Sequence, residues 1–116
     1  MITLYGIKNC DTVKKARKFL QQQQVAYQFH DYRADGISAD LVAQFSAGLG
    51  WQNILNTRGT TWRQLTEEQK QHIDQQGACA LMLQYPALIK RPILVDGTKF
   101  ILGFSESEYQ KLVTVV

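Results

Sequence analysis

The spacing of apolar positions along the chain switches repeatedly between strand and helix character. Ile2 to Tyr5 reads as a short strand, and Gly6-Ile7-Lys8-Asn9 as the turn that ends it. From Asp11 to about Gln24, Val13, Ala16, Phe19 and Leu20 fall on one side at helical spacing, with basic residues elsewhere. Val25 to Tyr32 then alternates, and Val25, Tyr27 and Phe29 share one face of a strand. The run Gln21 to Gln24 needs no meaning beyond ending the helix. A strand–helix–strand opening of this length suits a parallel pair joined by a right-handed crossover.

After Arg33-Ala34-Asp35-Gly36 the pattern becomes helical. Ser38 is placed to cap a helix holding Leu41, Val42 and Phe45, which ends near Gly48 or Gly50. A short helical piece holds Trp51, Ile54 and Leu55. Thr66-Glu67-Glu68-Gln69 is a capping-box start, and Gly77 is the expected stop of that helix. Ala78 to Gln84 forms another short helix, stopped before Pro86. From Ile93 the strand signal returns. Ile93-Leu94-Val95, Asp96-Gly97 and Thr98 to Leu102 read as a hairpin, with Asp-Gly suiting a type I′ turn. Ser105 with Glu108 opens a final helix through Tyr109, Leu112 and Val113.

The 116 residues suit one α/β domain spanning the whole chain, with a helical insertion at about residues 37–86. Hydrophobic content of 45% and charged content of 20% are those of a soluble globular protein, and no apolar run is long enough to cross a bilayer. No leader pattern precedes Ile2, and two distant cysteines suit a reducing cytoplasm. A monomer is expected, since no exposed apolar stripe demands a partner. The net charge of +3 is too mild to argue nucleic-acid binding.

Cys10 changes that bland picture. It stands between a strand and a helix N-terminus, where free N–H groups and the macrodipole favour an anion and thiol reactivity follows thiolate fraction. Lys8, Lys14, Lys15, Arg17 and Lys18 cluster around it in sequence, opposed locally only by Asp11. Lys15 and Lys18 read as a solvated helix face. Lys8 and Lys14 lie close enough to reach the Cys10 anion or an acidic small molecule. Other residues offer less. His30-Asp31 resembles an oriented histidine, but neighbours on a strand point to opposite faces. His72 has no cysteine or second histidine at ligand spacing, so no metal is expected. Gly59-Thr60-Thr61 lacks the spacing of a phosphate loop. Cys79 sits in an apolar helix and reads as a buried spectator.

A β-α-β unit followed by a hairpin and a helix is the layout of the thioredoxin fold, in which a proline before the third strand faces the thiol. Here that is Pro92. The residues alone favour an ordinary trans proline; the fold assignment argues for cis. Four segments then carry a resemblance: Leu4 to Thr12, Phe29 to Arg33, Leu55 to Arg63 and Ile89 to Pro92. In order and over nearly the whole chain, they resemble the arsenate-reductase-related (ArsC-like) branch of the thioredoxin superfamily, which also holds the Spx-type regulators. The resemblance implies a four-stranded mixed sheet with an inserted helical subdomain.

It also implies site residues. Cys10 corresponds to the family's catalytic cysteine, with Thr12 lending a hydrogen bond. Arg91 corresponds to the arginine before the cis-proline, which favours the thiolate and holds an anion through its planar fork. Arg58 lies near a second anion-binding arginine, although Asn56 occupies the aligned position. Lys8, Asn9, Arg58, Arg91 and Pro92 form the implied substrate-binding set. The departures are informative. The third arginine of arsenate reductases falls near Leu102-Gly103, where nothing is charged, and their Ser–Arg pair is Val13-Lys14 here. Val13 also stands where dithiol members have a second cysteine, so an external thiol must resolve any mixed disulfide. The resemblance therefore implies a monothiol oxidoreductase with glutathione as co-substrate and no bound cofactor. Its alternatives are arsenate reduction linked to glutathione and glutaredoxin, and a non-enzymatic Spx-like protein docking on RNA polymerase.

Overall fold

The computed structural model describes residues 2–71 and 73–114, with side chains to residue 112. His72, weighed above as a metal ligand, lies outside the described residues, as does the side chain of Val113. In chain order the elements are β1 (Ile2–Gly6), α1 (Asp11–Gln22), β2 (Tyr27–Asp31), α2 (Tyr32–Asp35), α3 (Ala39–Leu49), α4 (Trp51–Ile54), α5 (Thr60–Gln64), α6 (Glu67–Lys70), α7 (Gln75–Gln84), β3 (Ile93–Asp96), β4 (Lys99–Leu102) and α8 (Glu106–Thr114). A 3-10 turn at Pro86–Leu88 links α7 to the segment before β3. The chain divides into two compact units, Met1–Gly36 with Arg91–Val116, and Ile37–Lys90.

The first unit is built on a four-stranded sheet in the order β2-β1-β3-β4. β1 and β2 are parallel, and the two other pairings are antiparallel. Alternation explains the buried face. Ile2 and Leu4 on β1 join Leu94, Ile101 and the inward side of α1 (Ala16, Phe19, Leu20), with Tyr109 of α8 closing the cluster. Val25, Tyr27 and Phe29 pack against it, as their alternation predicts. Burying a side chain of this size stabilises the fold by about 1.5–3 kcal/mol. Phe19, Phe104 and Tyr109 form an aromatic trio with centroids 4.9 to 6.1 Å apart. The Tyr109 hydroxyl donates to the Gly103 carbonyl at 3.2 Å, tying α8 to the end of the hairpin.

α1 stops two residues earlier than its pattern predicts, and the glutamines explain how. The Val25 N–H donates to the Leu20 carbonyl and the Gln24 N–H to the Gln21 carbonyl, the pair of bonds that defines a Schellman ending. Gln24 takes the left-handed position at φ 57°, where glycine is usual. The hairpin differs by one residue from its expected form. Asp96 pairs with Lys99, so Gly97-Thr98 is the loop and not Asp96-Gly97. Only Gly97 has positive φ, at 61°, which is the pattern of a II′ turn rather than I′.

The second unit is helical. α3 packs on α7 and α4, and Val42, Phe45, Ile54, Ala78, Met82 and Leu88 are buried. Ser38 caps α3 as its sequence predicts, accepting from the Leu41 N–H, and Gly50 ends it. The capping box at Thr66 forms with both reciprocal bonds, but α6 covers only Glu67–Lys70. Gly77 does not stop that helix. It lies in the first turn of α7, its N–H donating to Asp74 Oδ1 at 2.7 Å, because Asp74 supplies a second N-cap.

Candidate thiol site

Register places the site. β1 and β2 run parallel with Gly6 opposite Asp31, and Ile93 at the start of β3 lies opposite Tyr5. The loop after β1, the residues after β2 and the residues before β3 therefore share one end of the sheet. Cys10, Tyr32, Arg91 and Pro92 come from those segments.

Cys10 is the N-cap of α1, with extended backbone (φ −134°, ψ 122°), and its carbonyl accepts the Lys14 N–H at 2.9 Å. Its side chain makes no capping hydrogen bond. The sulfur, half-buried and free of a disulfide, is thus left beside amides of the first turn that have no partner within the helix. Gly6 sets how closely α1 approaches the sheet. A Cβ there would stand 2.8 Å from Val13 Cγ2, so only glycine lets the first turn seat against the end of β1.

Lys8, Asn9, Thr12 and Lys14 are exposed around the thiol. Arg17 does not belong to that rim. Its guanidinium lies 4.3 Å from the Phe29 ring centre, and its Nε donates to the Tyr27 hydroxyl at 3.3 Å. At the same end of the sheet the Arg91–Pro92 peptide is cis. Pro92 is buried and its carbonyl accepts the Gly103 N–H at 2.8 Å, extending the hairpin ladder. Arg91 is half-buried, and its Nε is buried with no hydrogen-bond partner among the described residues.

Tyr32 is a site feature that the sequence reading passed over. It begins α2 at the end of β2, is 5% exposed, and its hydroxyl also has no hydrogen-bond partner among the described residues. Its ring meets His30 edge-on at 6.2 Å, and His30 in turn lies 5.0 Å from the Tyr5 ring. Burial pushes the Tyr32 phenol well above its ordinary range; nearby Tyr5 adds to the rise and the Arg91 guanidinium only partly opposes it. The hydroxyl therefore keeps its proton.

The remaining predicted residues fall elsewhere. Arg58 belongs to the second unit, between α4 and α5, exposed, its N–H donating to Asn56 Oδ1 at 3.0 Å. Cys79, half-buried on α7, belongs to that unit too. His30 and Asp31 serve separate structural bonds. His30 Nε2 pairs with the Gly36 carbonyl at 2.8 Å, and Asp31 Oδ1 accepts the Arg33 N–H at 2.8 Å. No cluster of metal-ligating side chains occurs among the described residues, and no described helix is long and apolar enough to cross a membrane.

A mixed sheet of this order, with the thiol at the start of the first helix and a cis proline opening the third strand, defines a thioredoxin-like fold. The profile of the ArsC family matches residues 5–112, and the chain belongs to that family. A solved structure of the YffB protein is similar at a TM-score of 0.94 and 46% identity, over 98% of this chain and 100% of that one. An uncharacterized protein of Haemophilus influenzae is 46% identical over 110 residues, 95% of this chain and 96% of its own. The global transcriptional regulator Spx of Listeria innocua is 26% identical over 113 residues, 96% of this chain and 86% of that protein.

Proposed function

We propose that the protein is a glutathione-dependent monothiol oxidoreductase with Cys10 as its nucleophile. The observation that carries this reading is the Cys10 sulfur itself: free, half-buried, at the N-cap of α1 and engaged in no capping bond. The positive end of α1 stabilises negative charge on that sulfur. In the first step the Cys10 thiolate attacks a glutathione mixed disulfide at the glutathionyl sulfur. The old S–S bond breaks, Cys10 carries glutathione, and the substrate leaves as a thiolate that takes a proton. In the second step the thiolate of reduced glutathione attacks that sulfur, releasing oxidised glutathione and restoring Cys10. No internal cysteine is needed, which suits a chain with Val13 where a resolving thiol would stand. Thr12 lends a hydrogen bond at the thiol. Lys8, Asn9, Arg91 and the backbone beside Pro92 receive the peptide and its carboxylates. The reading places the protein in a reducing cytoplasm.

Excess reduced glutathione should drive turnover of a glutathione–peptide mixed disulfide, and Cys10→Ser should abolish it. Full turnover by the variant removes the reading.

Arsenate reduction on the same frame is the second reading, favoured by family membership and by the Arg91 Nε, which has no partner among the described residues. Against it stand the uncharged Leu102-Gly103 and the Val13-Lys14 pair. Arsenate-dependent oxidation of glutathione, with glutaredoxin supplied, would bring it forward. A regulator acting on RNA polymerase, in the manner implied by the Spx resemblance, predicts capture of polymerase subunits by the purified chain.

A further inference from the structure

Two polar groups at the thiol end of the sheet lack partners among the described residues, and both are donors. The Tyr32 hydroxyl is on a side chain 5% exposed, and the Arg91 Nε is buried. An unpartnered buried donor is costly to a folded protein, and native chains retain few of them. Two from segments that meet at one end of a sheet point to a shared acceptor. The acids nearest in sequence are already engaged: Asp31 accepts the Arg33 N–H, and Asp35 Oδ2 accepts the Asp31 N–H at 3.0 Å. Neither carboxylate serves Tyr32 or Arg91.

We infer that the Tyr32 hydroxyl and Arg91 Nε form a two-donor cradle for one anionic group, a carboxylate or an oxyanion, beside Cys10. Under the proposed function, on which this assignment of the ligand rests, the anion is a carboxylate of glutathione. Arg91 supplies a permanent charge and a directional N–H, and Tyr32 supplies a neutral donor that a phenolate could not. Burial keeps that phenol protonated, so the cradle does not weaken as pH rises through the neutral range.

Tyr32→Phe removes the hydroxyl and leaves the ring against His30. Calorimetric titration with S-methylglutathione, which cannot exchange disulfides, should show binding weakened about tenfold in the variant. Its Tm should stay level or rise, because an unpartnered buried hydroxyl has been removed. Equal affinity in both proteins overturns the cradle and leaves the glutathione reading standing. Weaker binding together with a lower Tm assigns Tyr32 to packing and also overturns it. A parallel titration with sodium arsenate separates the two sources of anion. If arsenate alone binds, and Tyr32→Phe weakens it, the cradle stands and the glutathione reading fails. Binding of neither ligand to the unmodified protein overturns the cradle.

Discussion

What distinguishes Cys10 and Arg91 is what their neighbours leave unbonded among the described residues. The N-cap role of Cys10 is filled by its backbone carbonyl, so the sulfur remains available. Arg91 keeps a buried Nε without a partner among the described residues, and an ammonium cannot reproduce the guanidinium fork. Arg91→Lys should therefore raise KM for reduced glutathione about tenfold or more, with Cys10 still open to alkylation. An unchanged KM would remove Arg91 from the site. The cis form of Arg91–Pro92 followed only from the fold assignment, but the places of Cys10 at a helix start and of Pro92 before a strand were legible in the sequence. Tyr32 was not. What marks it is a buried hydroxyl without a hydrogen-bond partner among the described residues, which only the folded arrangement reveals, although its position one residue past the partner of Gly6 is a usable hint. Arg17 shows the converse: its charge is near Cys10 in sequence, yet its side chain turns to Tyr27 and Phe29.

At the scale of elements, α1 is fixed by one residue at each end. Gly6→Ala would drive a Cβ into the stiff, branched Val13 side chain and should cost about 1–3 kcal/mol. Gln24→Gly should act in the other direction, relieving the left-handed backbone by about 1 kcal/mol. Denaturant unfolding of both variants checks the pair, and the same sign for both would contradict this account of the helix ends. Periodicity revealed β1, α1, β2, α3 and the hairpin because each buries one face. It failed where capping chemistry decides. Gly77 looks like a stop, but Asp74, three residues earlier, makes it part of a start. The hairpin loop slid by one residue because Gly97 suits the first position of a II′ turn as well as the second of a I′ turn.

For the whole molecule, the buried tyrosines set an alkaline limit. Burial raises both Tyr32 and Tyr109 above the ordinary phenol value of 10.0, with Glu108 adding to the rise at Tyr109. The folded chain then holds protons that the unfolded chain releases. Stability from this source is complete below about pH 10 and falls as pH rises toward the folded values. Thermal unfolding followed from neutral pH upward should show Tm dropping beyond that point, with a shallower drop in Tyr32→Phe. A Tm that climbs there would reverse the sign. The family and the thioredoxin-like layout were visible in four ordered segments, since they run nearly the length of the chain. The thiol partner is less visible, because it depends on exposed side chains and backbone groups that leave little periodic trace.

The most direct measurement is the intact mass of the protein after incubation with oxidised glutathione, repeated on Cys10→Ser. The account predicts one glutathione adduct, removed by reduced glutathione and absent from the variant. No adduct on a Cys10 that still accepts a small alkylating agent would contradict it, and so would an adduct that persists in Cys10→Ser.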